Sequence, residues 1–208
     1  MKAKTTKSDF FRYSRPKFKL YTLICLLSVV LLSESVGAKS TLKQSQIAQQ
    51  PATTQQDATR AAAEKVFEEG MALYKQGTAV SLRQAIEKLQ EALVLWQKAG
   101  DKQWEATTLL IIGKVYSDLK DKHQALKYYN SALPLIKQVG HKAAEAATLT
   151  AIGAVYSDLG DNQSALKYYN SSLPLSKQVG DKAQEATTLN NIGGVYSNLG
   201  DNQSALKY

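Results

Sequence analysis

An all-helical, repetitive fold is what this 208-residue sequence predicts, and three observations predict it. Residues 101–140 and 141–180 are identical at 27 of 40 aligned positions without a gap, and a third copy opens at Asp181. Each copy carries two stretches whose apolar residues recur every three and four positions, the spacing of a single helix face. Short turns, Lys120-Asp121 and then Gly160-Asp161 and Gly200-Asp201, separate those stretches. Neither stretch can bury its stripe alone, so the pair forms an antiparallel hairpin that stacks on the next one; a period of this size marks such a solenoid.

Charge and composition exclude other classes. The chain holds 26 Lys+Arg against 18 Asp+Glu, formally +8, which by itself suggests nucleic acid. Residues 1–38 carry seven of the bases and two of the acids, so the rest is nearly balanced and no nucleic-acid partner is expected. One cysteine, Cys25, and two histidines exclude a disulfide scaffold and a His/Cys zinc site. With no P-loop, dinucleotide fingerprint or nucleophile elbow in the sequence, neither cofactor nor metal is expected and the chain is not read as an enzyme.

Taken in order, residues 1–38 read as a signal peptide. A basic stretch from Lys2 to Lys19 precedes the uncharged run Leu20–Leu32, and Val36-Gly37-Ala38 supplies small residues for cleavage after Ala38. As a helix that run spans about 20 Å, short of the ~30 Å hydrocarbon core. The expected address is the periplasm or the exterior, with no membrane contact after cleavage. The alternative is an uncleaved signal-anchor that keeps the chain tethered. Residues 39–57, rich in Gln, Thr, Ser and Ala, read as a flexible spacer.

Residues 58–100 form a degenerate copy that caps the array. Ala85, Leu89, Ala92 and Leu93 stand 40 residues before Ala125, Tyr129, Ala132 and Leu133, so its second helix is in register. Its first helix aligns only with an extra three-residue loop around Gly77-Thr78-Ala79. Residues 101–140 then give a helix from about Gln103 to Leu119 and another from about Gln124 to Val139, with glycine stops and aspartate caps. Residues 141–180 repeat them. Pro134 and Pro174 fall inside the second helices, where a lost donor should bend the helix. Residues 181–208 form an incomplete copy, which leaves Leu189, Ile192 and Tyr196 partly uncovered and a route to self-association.

The set Leu149, Ile152, Gly153, Tyr156, Ala165, Tyr169 recurs as Leu109, Ile112, Gly113, Tyr116, Ala125, Tyr129, and again as Leu189, Ile192, Gly193, Tyr196, Ala205. This set resembles the tetratricopeptide repeat (TPR). At 40 residues the copies exceed that family's usual ~34, so both helices gain roughly a turn. The longer form is similar to repeats of Pins-type and kinesin-light-chain scaffolds. It is also similar to exported bacterial arrays, many of them cyanobacterial, that precede a caspase-like CHAT domain. The resemblance implies a right-handed superhelical solenoid acting as a non-catalytic scaffold for a protein or peptide. Its alternative implication is the sensor or scaffold part of a CHAT-type protease, whose His and Cys would follow the repeats.

The resemblance also implies a binding stripe on the first helices, opposite their core residues, where they line a concave face. That stripe is Thr107, Leu110, Lys114 and Ser117, then Ala147, Thr150, Ala154 and Ser157, then Thr187, Asn190, Gly194 and Ser197. It is mostly small and polar, suited to an extended peptide or a helix face. Lys114 and Asn190 do not reproduce the Lys–Asn pattern with which such repeats clamp a terminal carboxylate. Other candidates read as structural. His123 and His141 are expected at the surface, Glu68, Glu69, Asp118 and Asp158 as solvated charges, and Tyr129 and Tyr169 as core rather than base-stacking platforms.

Overall fold

A computed structural model describes residues 52–208; the predicted export signal and most of the spacer lie outside the described residues. Among the described residues there are eight helices and no strand: α1 (Ala52–Gln76), α2 (Ala79–Ala99), α3 (Lys102–Asp118), α4 (Lys122–Gln138), α5 (Lys142–Asp158), α6 (Asn162–Val179), α7 (Lys182–Asn198) and α8 (Asn202–Ala205). Successive helices pack as hairpins, α1 on α2, α3 on α4 and α5 on α6. Thinner seams join α2 to α3, α4 to α5 and α6 to α7.

Local chemistry sets the ends. Asp101, Asp121, Asp161, Asp181 and Asp201 each accept, through a side-chain oxygen, the backbone N–H three residues on, at 2.9–3.1 Å. Such a cap satisfies one of the donors that a helix start leaves free. His141 occupies the same place before α5, and its Nδ1 accepts from the Ala144 N–H at 3.1 Å. It is therefore a capping residue and not merely a surface one. The glycines that end the helices take φ between +68° and +80°, and among the described residues Lys120 alone of the non-glycines has positive φ, +63°, where later copies place Gly160 and Gly200.

Three expectations need correction. Helix α1 begins at Ala52, so the spacer ends before residue 57: Gln56 Nε2 donates to the Ala99 carbonyl at 2.7 Å, and Arg60 pairs with Asp101 at 3.1 Å, fastening this segment to the end of α2. The three additional residues near Gly77 do not form a loop. Only Gly77 and Thr78 separate α1 from α2, and the insertion lengthens α2 at its N-terminus, where Thr78 and Ser81 form a reciprocal capping box. Ile192 is fully buried, against Ala165, Tyr169 and Val195, although Leu189 and Tyr196 are half-exposed as expected. Pro134 and Pro174 lie on exposed faces of α4 and α6, where water can take up the carbonyl each leaves unpaired, and both helices run unbroken through them.

At the hairpin crossings the small residue is decisive. A Cβ built on Gly113 would stand 2.6 Å from Tyr129 Cδ1, and one on Gly153 2.7 Å from Tyr169 Cδ1. The two tyrosine rings are buried flat against bare backbone. A second set of tyrosines stacks across each hairpin at the turn end, Tyr116 on Tyr128 at 5.3 Å and Tyr156 on Tyr168 at 5.4 Å.

Candidate functional site

The seams decide which face is concave. Helix α3 touches α5 and α5 touches α7 across them, whereas α4 and α6 do not come comparably close. A stack whose first helices are nearer to each other than its second helices curves toward the first. The inner face is therefore that of α3, α5 and α7, the side on which the predicted stripe lies.

The stripe divides into two columns. Lys114, Thr187, Gly194 and Ser197 are exposed, and Thr107, Ser117, Ala147, Ala154 and Ser157 are partly so, which leaves one accessible column along the face. The column Leu110, Thr150, Asn190 behaves differently. Leu110 packs among Ala106, Leu109, Ala132 and Ile136 on one side and Tyr129 and Ile152 on the other. Thr150 is buried at 7% exposure, its hydroxyl bonded to Ser172 at 2.8 Å and Thr188 at 3.0 Å and accepting from Gln184 Nε2 at 2.7 Å. Thr150 thus belongs to the contact between α5 and α7 and not to the groove, because this column points along the stack at the neighbouring first helix. Asn190, on α7, is exposed.

At the outer end of α3 the charges are internally matched. Asp118 accepts from the Tyr74 hydroxyl at 2.9 Å and pairs with Lys114 one turn earlier. Burial first, and then this hydrogen bond, push the Tyr74 hydroxyl up to about 12. Burial likewise pushes Tyr169 up to about 12, with Asp158 adding to it, and raises Tyr129 further in the same direction. Asp158 has Ala154 where Asp118 has Lys114; Lys122 Nζ donates to its backbone carbonyl. Glu69 pairs with Lys88 at 3.0 Å on the surface, and Glu68 and His123 are exposed. Among the described residues no group of three His, Cys, Asp or Glu is placed to hold a metal ion.

Sequence reasoning passed over one recurrent element. Glu105 and Glu145 are buried at 7% exposure near the starts of α3 and α5, paired with Lys102 at 2.7 Å and Lys142 at 2.9 Å. Gln97 reaches Glu105 at 3.1 Å, Lys137 reaches Glu145 at 3.9 Å and Lys177 reaches Glu185 at 4.0 Å, so this acid clasps every seam. The Lys182 ammonium beside Glu185 holds its carboxyl below the usual range. The signal was present in the sequence as Glu at a 40-residue interval in the first turns of α3, α5 and α7, where the helix dipole favours an acid.

A tetratricopeptide repeat model matches residues 81–138 and 144–208. No characterised protein matches the sequence. Solved structures do resemble the fold. MamA superposes with a TM-score of 0.56 at 21% identity, covering 75% of this chain and 79% of that one. A STAND signal-transduction ATPase of Pyrococcus horikoshii, which has a tetratricopeptide repeat sensor, gives 0.62 at 19% identity over 74% of this chain and 24% of its own. A Rap protein complexed with Competence and Sporulation Factor gives 0.61 at 19% identity over 71% of this chain. This chain spans 41% of that Rap protein's length. At these identities the likeness is one of fold.

Proposed function

The chain belongs to the tetratricopeptide repeat family, and from that membership we propose that it is a non-catalytic scaffold binding a protein or peptide along the inner face of α3, α5 and α7. The observation that carries this reading is the accessible column Thr107, Lys114, Ala154, Thr187, Gly194, which faces inward and takes little part in the core. A residue that the packing does not need, on the concave side of a curved stack, is free to be used for recognition. Small side chains at Ala147 and Ala154 give a partner close access to α5, while Thr187 and the serines offer hydroxyls for hydrogen bonds. The Rap protein held with Competence and Sporulation Factor is a structural relative that was captured with a partner, which supports the reading by analogy of fold.

We propose in addition that the chain is exported, on the strength of the basic stretch, the Leu20–Leu32 run and the small residues before Lys39. N-terminal sequencing of the protein recovered outside the cytoplasm should begin at Lys39; Met1 there would establish an anchor instead.

Groove binding is tested by selecting peptides from a random display library on the full chain and measuring their affinity for two variants. Ala154→Arg with Thr187→Arg obstructs the inner face, and Lys167→Glu alters the exposed side of α6. The reading expects the first to lose at least about tenfold in Kd and the second to stay near wild type. Binding lost in Lys167→Glu and kept in the obstructed variant would move the site to the outer face.

A further inference from the structure

Among the buried positions of the two copies, divergence falls at Leu110/Thr150, Ala132/Ser172 and Ile136/Ser176. Leu109, Ile112, Gly113, Tyr116, Ala125 and Tyr129, which hold one hairpin together, return unchanged as Leu149, Ile152, Gly153, Tyr156, Ala165 and Tyr169. The centres of the seams do not return. Between α2 and α3, Trp96 lies stacked on Trp104 at 5.3 Å with 13° between the planes. Between α4 and α5 the corresponding residues are Ile136, 2% exposed, and Ala144, which packs on its cluster. Between α6 and α7 they are Ser176 and Gln184. Around that third pair, Ser172 donates to the Ala146 carbonyl at 2.8 Å, Ser176 to the Ser172 carbonyl at 3.3 Å, and Gln184 to Thr150 at 2.7 Å.

The sizes are reciprocal. The seam from α4 to α5 sets a large residue on the second helix against a small one on the first. The seam from α6 to α7 places a small residue, Ser176, at the first of these positions and a large, polar one, Gln184, at the second. Near-identical hairpins otherwise invite misassembly, with α7 stacking on α4 and the hairpin between them left out, or α5 of a second copy taking the place of α7. In the first error Ile136 would meet Gln184, overpacking the site and stranding an amide against a hydrocarbon. In the second, Ser176 would meet Ala144 and leave a void.

We propose that these seam side chains fix the order in which the hairpins stack, each seam carrying a size and polarity that only its own neighbour completes. Either mismatch disfavours the wrong stack by about tenfold or more. The glycine–tyrosine crossing of each hairpin carries no such information, since it is the same in both copies.

Two variants of the full chain test this, each of which gives one seam the central residues of the other. The first gives the α6–α7 seam the residues of the α4–α5 seam: Thr150→Leu, Ser172→Ala, Ser176→Ile and Gln184→Ala. The second does the reverse: Leu110→Thr, Ala132→Ser, Ile136→Ser and Ala144→Gln. Each is refolded from urea over a series of protein concentrations, with helix content read by circular dichroism and the oligomeric share by light scattering after gel filtration. Both should regain helix, and in both the oligomeric share should exceed that of wild type by about tenfold at equal concentration. An oligomeric share equal to wild type in both would overturn the proposal. So would an increase in the first variant alone, which would trace association to apolar surface and not to the identity of the seams. Failure of either variant to regain helix would also overturn it, because each uses only a seam that this chain already folds.

Discussion

The first hairpin and the second make the same crossing with different materials. In α3–α4 the bare backbone of Gly113 receives the ring of Tyr129; in α1–α2 that of Gly70 receives Leu89, whose Cγ would lie 2.9 Å from an added Cβ. Both large residues are essentially inaccessible. The two hairpins differ in helix length, in cap (Thr78 against Asp121) and in the ring at the crossing, yet each keeps glycine on the first helix. The small residue is therefore the requirement, and what fills the space opposite it is open to choice so long as it is large and apolar.

The most severe break of that rule is to empty the space. Tyr129→Ala should cost about 3–5 kcal/mol, and Leu89→Ala about 2–5 kcal/mol, measured as the shift of the urea unfolding transition. If the crossing depends on volume, the two losses will be of one class; a negligible loss at Leu89 would show that the first hairpin is held by its aromatic seam instead. Filling the small position comes next. Gly153→Leu should overpack against Tyr169 and cost about 1–3 kcal/mol.

Alkali tests the tyrosines at the crossings. Burial raises the Tyr169 hydroxyl from its ordinary 10 to about 12, and Tyr129 shifts the same way. The folded chain thus keeps these protons at a pH where the unfolded chain has released them. The stability they contribute is complete below about pH 10 and is lost as pH rises toward 12. Hydrogen exchange followed from pH 9 to pH 11.5 should show α4 and α6 losing protection in the wild-type chain, while Tyr74 on α1 titrates in the same range. Tyr169→Phe, which has no proton to release, should abolish the loss in α6; an unchanged loss there would remove the tyrosine as the cause. The smallest effect is the control, Lys167→Ala on the exposed side of α6, which should stay within about 0.5 kcal/mol.

Much of this was legible beforehand where the interaction is local. The aspartate caps and glycine stops act within a turn of the residues that encode them, so α3 and α4 fall within two residues of their predicted bounds. The groove was half legible. Spacing separates Thr107 and Lys114 from the core stripe, but it could not show that Thr150, on the same helix face, would be claimed by Thr188 and Gln184 of the following helix. That contact depends on how far one hairpin rotates on the next. The same limit hid Tyr74 and Asp118, 44 residues apart and 2.9 Å from each other.

By itself, then, the sequence determined the periodic part: hairpin length, helix boundaries, the glycine crossings and the capping turns. All of these follow from interactions within one helix or between adjacent ones, and a 40-residue repeat writes them several times over. The tertiary structure alone decided how the hairpins meet. Whether residue 150 is groove or seam, whether three extra residues form a loop or a helical turn, and which large residue finds a small partner are fixed by packing between units far apart in the chain. Such packing depends on shape and burial in three dimensions, which spacing along one dimension does not carry.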